Sequence, residues 1–320
     1  MAKRPSHSAP AKKKRTVRIV LWIVLALLFV GALIAVLSLI ARTPMPIDET
    51  ENDTGSPAAV SDASAAVETP LPEELQEEPL SPDAEIAART AGHADGFPMF
   101  SRDLSLFSLD SRSRMRYSGE SYLTGIDVSE HQGDVDWARV AADGIDFVMI
   151  RIGYRGSTAG SIYDDEYFEE NISGALAAGL KVGVYFYSQA VNTAEAAEEA
   201  AYVLQAIEPY NVTFPVVFDW EIVGGSEART YTVSRAVITD CAKTFCRAVE
   251  DAGYDAMIYF TQYLGYRKYI LRQLTDYEFW YAEYEEKPRI IFDFDMWQYS
   301  STGSVDGIAG DVDLNIYFRQ

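Results

Sequence analysis

Residues 214–221 read Phe-Pro-Val-Val-Phe-Asp-Trp-Glu, a short apolar run that ends in two carboxylates separated by one tryptophan. A run of this length, rich in β-branched and aromatic residues, predicts a strand buried on both faces rather than a helix. Side chains alternate along a strand, so Asp219 and Glu221 are expected to point the same way, with Cα atoms about 6.5 Å apart. The stretch therefore predicts a buried strand that delivers two acids to one site.

Seven further runs of strand character accompany this one. The eight predicted strands are 125–128, 147–153, 181–188, 214–221, 255–261, 279–284, 296–300 and 313–318. Apolar residues at helical spacing predict helices between the earlier strands, most clearly over 194–207 and 233–252. Strand–helix alternation predicts an α/β fold with a parallel sheet, and eight strands indicate a closed or nearly closed barrel. Helices are expected between the first six strands only, and the last strands complete the sheet without them.

Charge is distributed unevenly along the 320 residues, which carry a formal net charge of -21. The first 47 residues hold eight basic residues and no acidic one, and the remainder holds 19 basic against 48 acidic. Nucleic acid is therefore not an expected partner of the acidic part. Cys241 and Cys246 lie five residues apart in a predicted helix, which places them on different faces. We expect two buried free thiols.

The N-terminal region has the pattern of a membrane anchor. A basic cluster in residues 1–18 precedes an uncharged run over 19–40, which as a helix would be about 33 Å long and cross the hydrocarbon core of a bilayer. A cleaved signal peptide is the alternative, but its apolar region is usually about 7–15 residues and precedes a small-residue cleavage site. We expect a cytoplasmic tail over 1–18, a single transmembrane helix over 19–40 and the rest of the chain outside the cell.

Residues 41–87 have the composition of a spacer. Twelve acidic residues and no basic one lie between Asp48 and Ala87, among Pro, Ser, Ala and Thr. Such a segment buries too little apolar surface to offset its chain entropy, so we expect a disordered acidic spacer. Apolar residues in 88–122 are interrupted by Ser and Arg, which indicates a partly ordered lead-in to a barrel domain over 123–320.

Acids and aromatic residues gather where the predicted strands end, and active sites of such barrels lie at the carboxyl ends of the strands. The residues there are Asp127, Tyr154, Tyr187, Asp219, Glu221, Tyr284, Trp297 and Gln298. Aromatic faces stack on sugar rings and carboxylates transfer glycosidic protons, so this combination favours glycoside hydrolysis. Taken alone, a D-x-E pair also occurs by chance, and Tyr and Trp in strands usually pack in the core. The sequence shows no metal-ligand cluster, and no metal or cofactor is expected.

Four segments in this order resemble glycoside hydrolase family 25 muramidases, the lysozymes with a flattened barrel. They are 125–129 with 132–133 and Trp137, 216–221, 280–284, and 297–299 followed by 303–315. The resemblance implies a flattened TIM-like barrel of five β/α units followed by three strands. It also implies hydrolysis of the β-1,4 bond between N-acetylmuramic acid and N-acetylglucosamine in peptidoglycan glycan strands.

The resemblance also implies a role for each acid. By position, Glu221 would be the general acid. Asp219 would stabilise positive charge at the anomeric carbon or orient the 2-acetamido group, and the sequence leaves both open. Asp127 and Asp313 would complete an acidic floor that holds the substrate.

Six residues around these acids are expected to bind substrate: Tyr154, Tyr187, Trp220, Tyr284, Trp297 and Gln298. Glu283 departs from the resemblance, because a less acidic residue is expected there, and it is predicted to alter cleft charge or substrate choice. Two other functions stay open. One is a non-catalytic glycan-binding module on the same barrel. The other is a hydrolase of chitin-like chains, which is less favoured because this sequence does not contain the D-x-x-D-x-D-x-E run of such enzymes. The oligomeric state is also left open.

Overall fold

The computed structural model of the chain describes residues 94–224 and 228–318. The predicted cytoplasmic tail (1–18), membrane span (19–40) and acidic spacer (41–87) lie outside these residues. Within the described part, no helix combines the length and the apolar character needed to cross a membrane.

Eleven strands and four α-helices form the described part of the chain. The strands are β1 Phe107–Leu109, β2 Met115–Tyr117, β3 Leu123–Val128, β4 Phe147–Arg155, β5 Ile162–Asp164, β6 Lys181–Ser188, β7 Val216–Trp220, β8 Ala256–Thr261, β9 Glu278–Ala282, β10 Met296–Gly303 and β11 Val312–Tyr317. The α-helices are α1 Trp137–Ala142, α2 Phe168–Ala177, α3 Thr193–Ile207 and α4 Arg235–Asp251.

Eight of these strands close a barrel in the order β3-β11-β10-β9-β8-β7-β6-β4, and pairing of β4 with β3 completes the ring. Neighbouring strands are parallel except at β11, which runs antiparallel to both β10 and β3. The predicted closed α/β barrel is confirmed. The connection between β8 and β9, where a fifth helix is expected, contains a π-helical turn, Leu264–Lys268, and a 3-10 turn, Leu271–Gln273, in place of an α-helix.

The barrel interior is filled by large side chains opposite glycines. Phe147 and Met149 of β4 point inward and pack with Val217, Met257 and other inward residues. A Cβ atom on Gly125 of β3 would lie 2.3 Å from the Phe147 ring, and one on Gly183 of β6 would lie 2.6 Å from Met149 Cε. Glycine is therefore required on the strands that flank β4, because its large side chains occupy the space.

Helices cover the outer face of the first part of the barrel. Helix α4 begins where the Ser234 side chain accepts a hydrogen bond from the backbone N–H of Val237, a normal N-cap contact. Its buried face includes Ile238, Cys241 and Phe245, spaced three or four residues apart. Both cysteines are free and buried, as predicted.

The lead-in segment covers the outer face of β9 and β10, where no helix follows. The Phe97 ring meets Phe279 edge-on at 5.0 Å between centroids, and Phe107 of β1 meets Trp297 at 5.6 Å. Arg102 forms an ion pair with Asp293 at 2.8 Å. Residues 94–122, predicted to be only partly ordered, thus form a packed layer that substitutes for the missing helices.

Candidate active site

Asp219 and Glu221 lie at the carboxyl end of β7. Val217 belongs to the interior cluster, so strand alternation also turns Asp219 inward. Asp219 is buried, with 4% of its surface exposed, and Glu221 is half-buried directly after the strand. The structure therefore brings both predicted acids to the mouth of the barrel.

Asp127 lies across the barrel mouth in a network of amides. It is the register partner of Asp313 across β3 and β11. Its Oδ2 accepts hydrogen bonds from Gln298 Nε2 at 2.9 Å and from Asn315 Nδ2 at 2.7 Å. Asn315 is itself oriented, because its Oδ1 accepts a 2.8 Å hydrogen bond from Trp280 Nε1. Two amide donors thus hold the Asp127 carboxylate in one position.

Gln298 connects this buried floor to the rim of the cleft. Its Oε1 accepts hydrogen bonds from the hydroxyls of Tyr259 and Tyr284, both at 3.2 Å. Tyr259 is buried, whereas 53% of the Tyr284 surface is exposed. The predicted site residues Gln298 and Tyr284 are therefore joined to Asp127 in one hydrogen-bonded chain.

A β-bulge places Tyr154 at the site. The pairing of β4 with β6 shifts by one residue between Arg151 and Gly153, so that Arg151 and Tyr154 both turn toward the interior side. The Arg151 guanidinium lies 5.5 Å from the centre of the Tyr154 ring. Tyr154 is the register partner of Tyr187, which is the partner of Asp219. Two predicted aromatic residues thus stand in one row with the buried acid.

Gln189 fixes the backbone that carries Glu221. Its Nε2 donates hydrogen bonds to the carbonyl of Glu221 at 2.7 Å and to that of Ser188 at 3.0 Å. Its Oε1 accepts a 3.2 Å hydrogen bond from the Thr230 hydroxyl. All polar atoms of this fully buried amide are therefore engaged between β6, the end of β7 and the segment before α4.

Comparison with known proteins identifies the family. The family model described as Glycosyl hydrolases family 25 matches residues 126–308. The chain belongs to this family. The match begins in β3 and ends in the loop between β10 and β11, so it covers most of the barrel. Family membership agrees with the resemblance seen in the sequence.

Individual relatives give the same result. The chain is 30% identical over 195 residues to the autolytic lysozyme of Clostridium acetobutylicum, and the match covers 60% of this chain and 55% of that protein. It is also 30% identical over 212 residues to lysozyme M1 of Streptomyces globisporus, covering 61% of this chain and 67% of that protein. The chain thus spans little more than half the length of the Clostridium lysozyme.

Among solved structures, the barrel is similar to the modular autolysin LytC from Streptococcus pneumoniae. The TM-score is 0.55 at 23% sequence identity, over 70% of this chain and 52% of that chain. At this identity the likeness concerns the fold. The barrel of this chain therefore has a fold similar to that of LytC.

Two predicted substrate-binding residues of this family 25 domain point away from the cleft. Trp220 is fully buried on the outer face of β7, where its Nε1 donates a 2.9 Å hydrogen bond to the Ala190 carbonyl. Trp297 is fully buried on the outer face of β10, and its Nε1 donates to the Glu283 carbonyl at 3.0 Å. Each directly adjoins an inward residue, and alternation turns the neighbour outward. Neither indole offers a surface to substrate, so both predictions are wrong.

The Glu283 side chain also faces away from the cleft. Its Oε2 accepts a 2.7 Å hydrogen bond from the Tyr281 hydroxyl, and its Oε1 accepts from Arg289 Nε at 2.6 Å and from Gln262 Nε2 at 3.0 Å. The carboxylate therefore braces the loop after β9. The prediction that Glu283 alters cleft charge or substrate choice is wrong for this reason.

The acids place negative charge around Tyr259 at the barrel mouth. Burial raises the pKa of Tyr259 well above its ordinary value, and the charges of Glu221, Asp219 and Asp127 add to this effect. The Tyr259 hydroxyl therefore remains protonated and continues to donate to Gln298. Negative charge at this position would stabilise a transition state that develops positive charge.

Four residues that hold the site together were not among the predicted site residues. Tyr259, Trp280 and Asn315 lie at inward positions of their strands, and alternation from a known inward neighbour would have identified them. Gln189 is different, because a single glutamine after a strand has no distinguishing pattern. Within the described residues, no group of three or more His, Cys, Asp or Glu side chains is arranged to hold a metal ion.

Proposed function

We propose that the barrel domain is a peptidoglycan hydrolase that cleaves the β-1,4 bond between N-acetylmuramic acid and N-acetylglucosamine. The observation that carries the proposal is the pair of acids at the carboxyl end of β7, which share the barrel mouth with Asp127. Membership of family 25 supports it, as do the relatives named lysozymes. LytC, whose fold is similar, has been solved in complex with a synthetic peptidoglycan ligand.

In this proposal Glu221 is the general acid. It is half-buried at the mouth, where a protonated carboxyl can reach a glycosidic oxygen and donate to it as the bond breaks. Asp219 lies deeper and is buried. There its charge either stabilises the oxocarbenium-like centre or orients the 2-acetamido group for attack on it.

The other acids and the aromatic residues bind and orient the sugar. Asp127 is held by two amides, so its charge is oriented before substrate arrives and costs little reorganisation during reaction. Asp313 is its register partner and adds to the acidic floor. Tyr154 and Tyr187 offer ring surface on one side, and exposed Tyr284 offers it at the rim.

The products of digestion test this function. Purified peptidoglycan would be digested with the full-length protein, and the newly formed reducing ends would be reduced chemically and identified. We expect reduced N-acetylmuramic acid. Reduced N-acetylglucosamine, or no new ends, would refute the assignment, and glycan binding without any new ends would favour a non-catalytic glycan-binding module.

We also propose that residues 19–40 anchor the protein in the cell membrane with the barrel outside. The support is sequence pattern: a 22-residue uncharged run directly follows a basic cluster. Protease treatment of intact cells tests it. The barrel should be degraded while the membrane-bound N-terminal fragment survives, and full protection of the barrel would contradict this orientation.

A further inference from the structure

A β-hairpin extends one side of the cleft beyond the end of the barrel. The last residues of β4, Gly153–Arg155, pair with the short antiparallel strand β5. On β5 the ring of Tyr163 stacks on Tyr154, with 5.3 Å between centroids and 23° between planes. Although stacked, Tyr163 has 47% of its surface exposed. The hairpin thus presents an aromatic face to solvent beside the candidate site.

Tyr163 lies in line with the proposed catalytic residues. Tyr163 is the register partner of Tyr154, which pairs with Tyr187, which pairs with Asp219. Neighbouring strands are about 4.8 Å apart, so this row extends about 14 Å from the buried acid to the rim. That distance exceeds the width of one sugar ring. A ligand at Tyr163 would therefore be a more distant part of a chain whose other end occupies the acids.

The hairpin is held rigidly by buried polar contacts. Arg155 is buried, and its Nε donates to Glu199 at 2.6 Å while its Nη1 donates to the Gly160 carbonyl at 2.6 Å. Gly156 leaves room for the Tyr163 ring, since a Cβ atom there would lie 3.1 Å from Tyr163 Cε2. Little conformational entropy would be lost when such a fixed ring binds a ligand.

Charge near Tyr163 selects among ligands that a peptidoglycan strand could offer. Glu130 and Arg151 form an ion pair at 3.1 Å and act on Tyr154 with opposite sign, so a stem peptide that carries carboxylates gains no net attraction there. The aromatic face itself suits the C–H face of an uncharged sugar ring. The occupant that fits both features is an N-acetylhexosamine of the glycan strand.

We propose that Tyr163, supported by Tyr154, forms an outer subsite for a sugar of the same glycan strand, remote from the bond that is cleaved. This inference rests on the proposed function and refines its substrate class. The protein would prefer long glycan strands to short oligosaccharides, because only long strands reach the outer ring.

Kinetics on substrates of two lengths test the subsite. With full-length protein, Tyr163→Ala should raise KM for long glycan strands about tenfold, leave kcat unchanged and leave KM for the shortest cleaved oligosaccharide unchanged. Tyr163→Phe should retain the wild-type KM. Tyr231→Ala, at a tyrosine with 46% of its surface exposed, is the matched control and should have no effect. Equal changes in KM for both substrate lengths, or none, would overturn the proposal.

A binding measurement separates this inference from the proposed activity. Calorimetric titration of peptide-free glycan strands into the full-length Glu221→Gln variant should give at least about tenfold weaker affinity when Tyr163→Ala is added. This result would support the outer subsite even if no hydrolysis occurred. Unchanged glycan affinity would contradict it, as would loss of binding to isolated stem peptides in the Tyr163→Ala variant.

Discussion

The side-chain amide of Gln189 donates a 2.7 Å hydrogen bond to the backbone carbonyl of Glu221. One residue before Glu221, the indole of Trp220 donates to the carbonyl of Ala190, which follows Gln189. The two bonds run in opposite directions across the gap between β6 and β7, because one donor lies on each side. Together they fix the path of the chain where the proposed acid leaves the strand.

Replacing Gln189 should therefore impair catalysis more than binding. Gln189→Met keeps the side-chain length but loses the bond to Glu221, and we expect kcat to fall about tenfold with little change in KM, because the acid is displaced. Thr230→Val removes only the hydrogen bond to Gln189 Oε1 and should stay near the wild-type kcat. Steady-state rates on peptidoglycan measure both, and thermal unfolding shows whether each variant folds. Equal kcat values for the two variants would contradict this positioning role.

Asp127→Asn tests the charge of the fixed carboxylate. The amide oxygen of the variant can still accept the bonds from Gln298 and Asn315, so the geometry should persist while the charge is lost. We expect about a 10²-fold lower kcat, the cost of removing a preorganised electrostatic contact. Asn315→Ser is the control, because it keeps the charge of Asp127, and its kcat should fall less. An Asp127→Asn variant with wild-type kcat would show that this charge has no role in the reaction.

The lead-in should contribute strongly to stability. Phe107 is 4% exposed and packs on Trp297, whereas Leu109 on the same strand is 42% exposed. We expect Phe107→Ala to lower the free energy of unfolding by about 3–5 kcal/mol and Leu109→Ala by less than about 0.5 kcal/mol. Urea unfolding of the two variants measures the difference. Similar small losses would show that β1 is not an integral part of the core.

Glu199 should make stability depend on pH. Burial raises the pKa of Glu199 from 4.5 to about 7, although Ser188 and Arg155 donate hydrogen bonds to it. A raised folded-state pKa means that its stabilising contribution is present below about pH 4.5 and is lost as pH rises through 7. The stability of the wild type relative to Glu199→Gln should then fall by up to about 3 kcal/mol over this range. Urea unfolding at several pH values measures this difference, and a constant or rising difference would be inconsistent with it.

The sequence predicts the barrel and its acids because both depend on local periodicity. Alternation along 214–221 predicts the buried strand and the inward position of Asp219, since a one-residue change of face is unambiguous in a buried strand. The same rule turns Trp220 and Trp297 outward. The prediction that they bind substrate rested on their aromatic character and disregarded this alternation.

Other features depend on contacts that no local pattern records. The bulge after Arg151 decides where Tyr154 points, and nothing in the alternation of β4 marks it. Phe107 finds its partner Trp297 about 190 residues later in the chain, so the lead-in shows no periodicity of its own. Gln189 acts through one amide whose partners lie on separate segments.

The role of Glu221 is tested most directly by the rate at which reducing ends form on purified peptidoglycan. The full-length wild type would be compared with the Glu221→Gln variant, and glycan binding by the variant would be measured in parallel. A general acid predicts about a 10³-fold lower rate with glycan binding retained. A Glu221→Gln variant that releases reducing ends at the wild-type rate would contradict the mechanism proposed for this barrel.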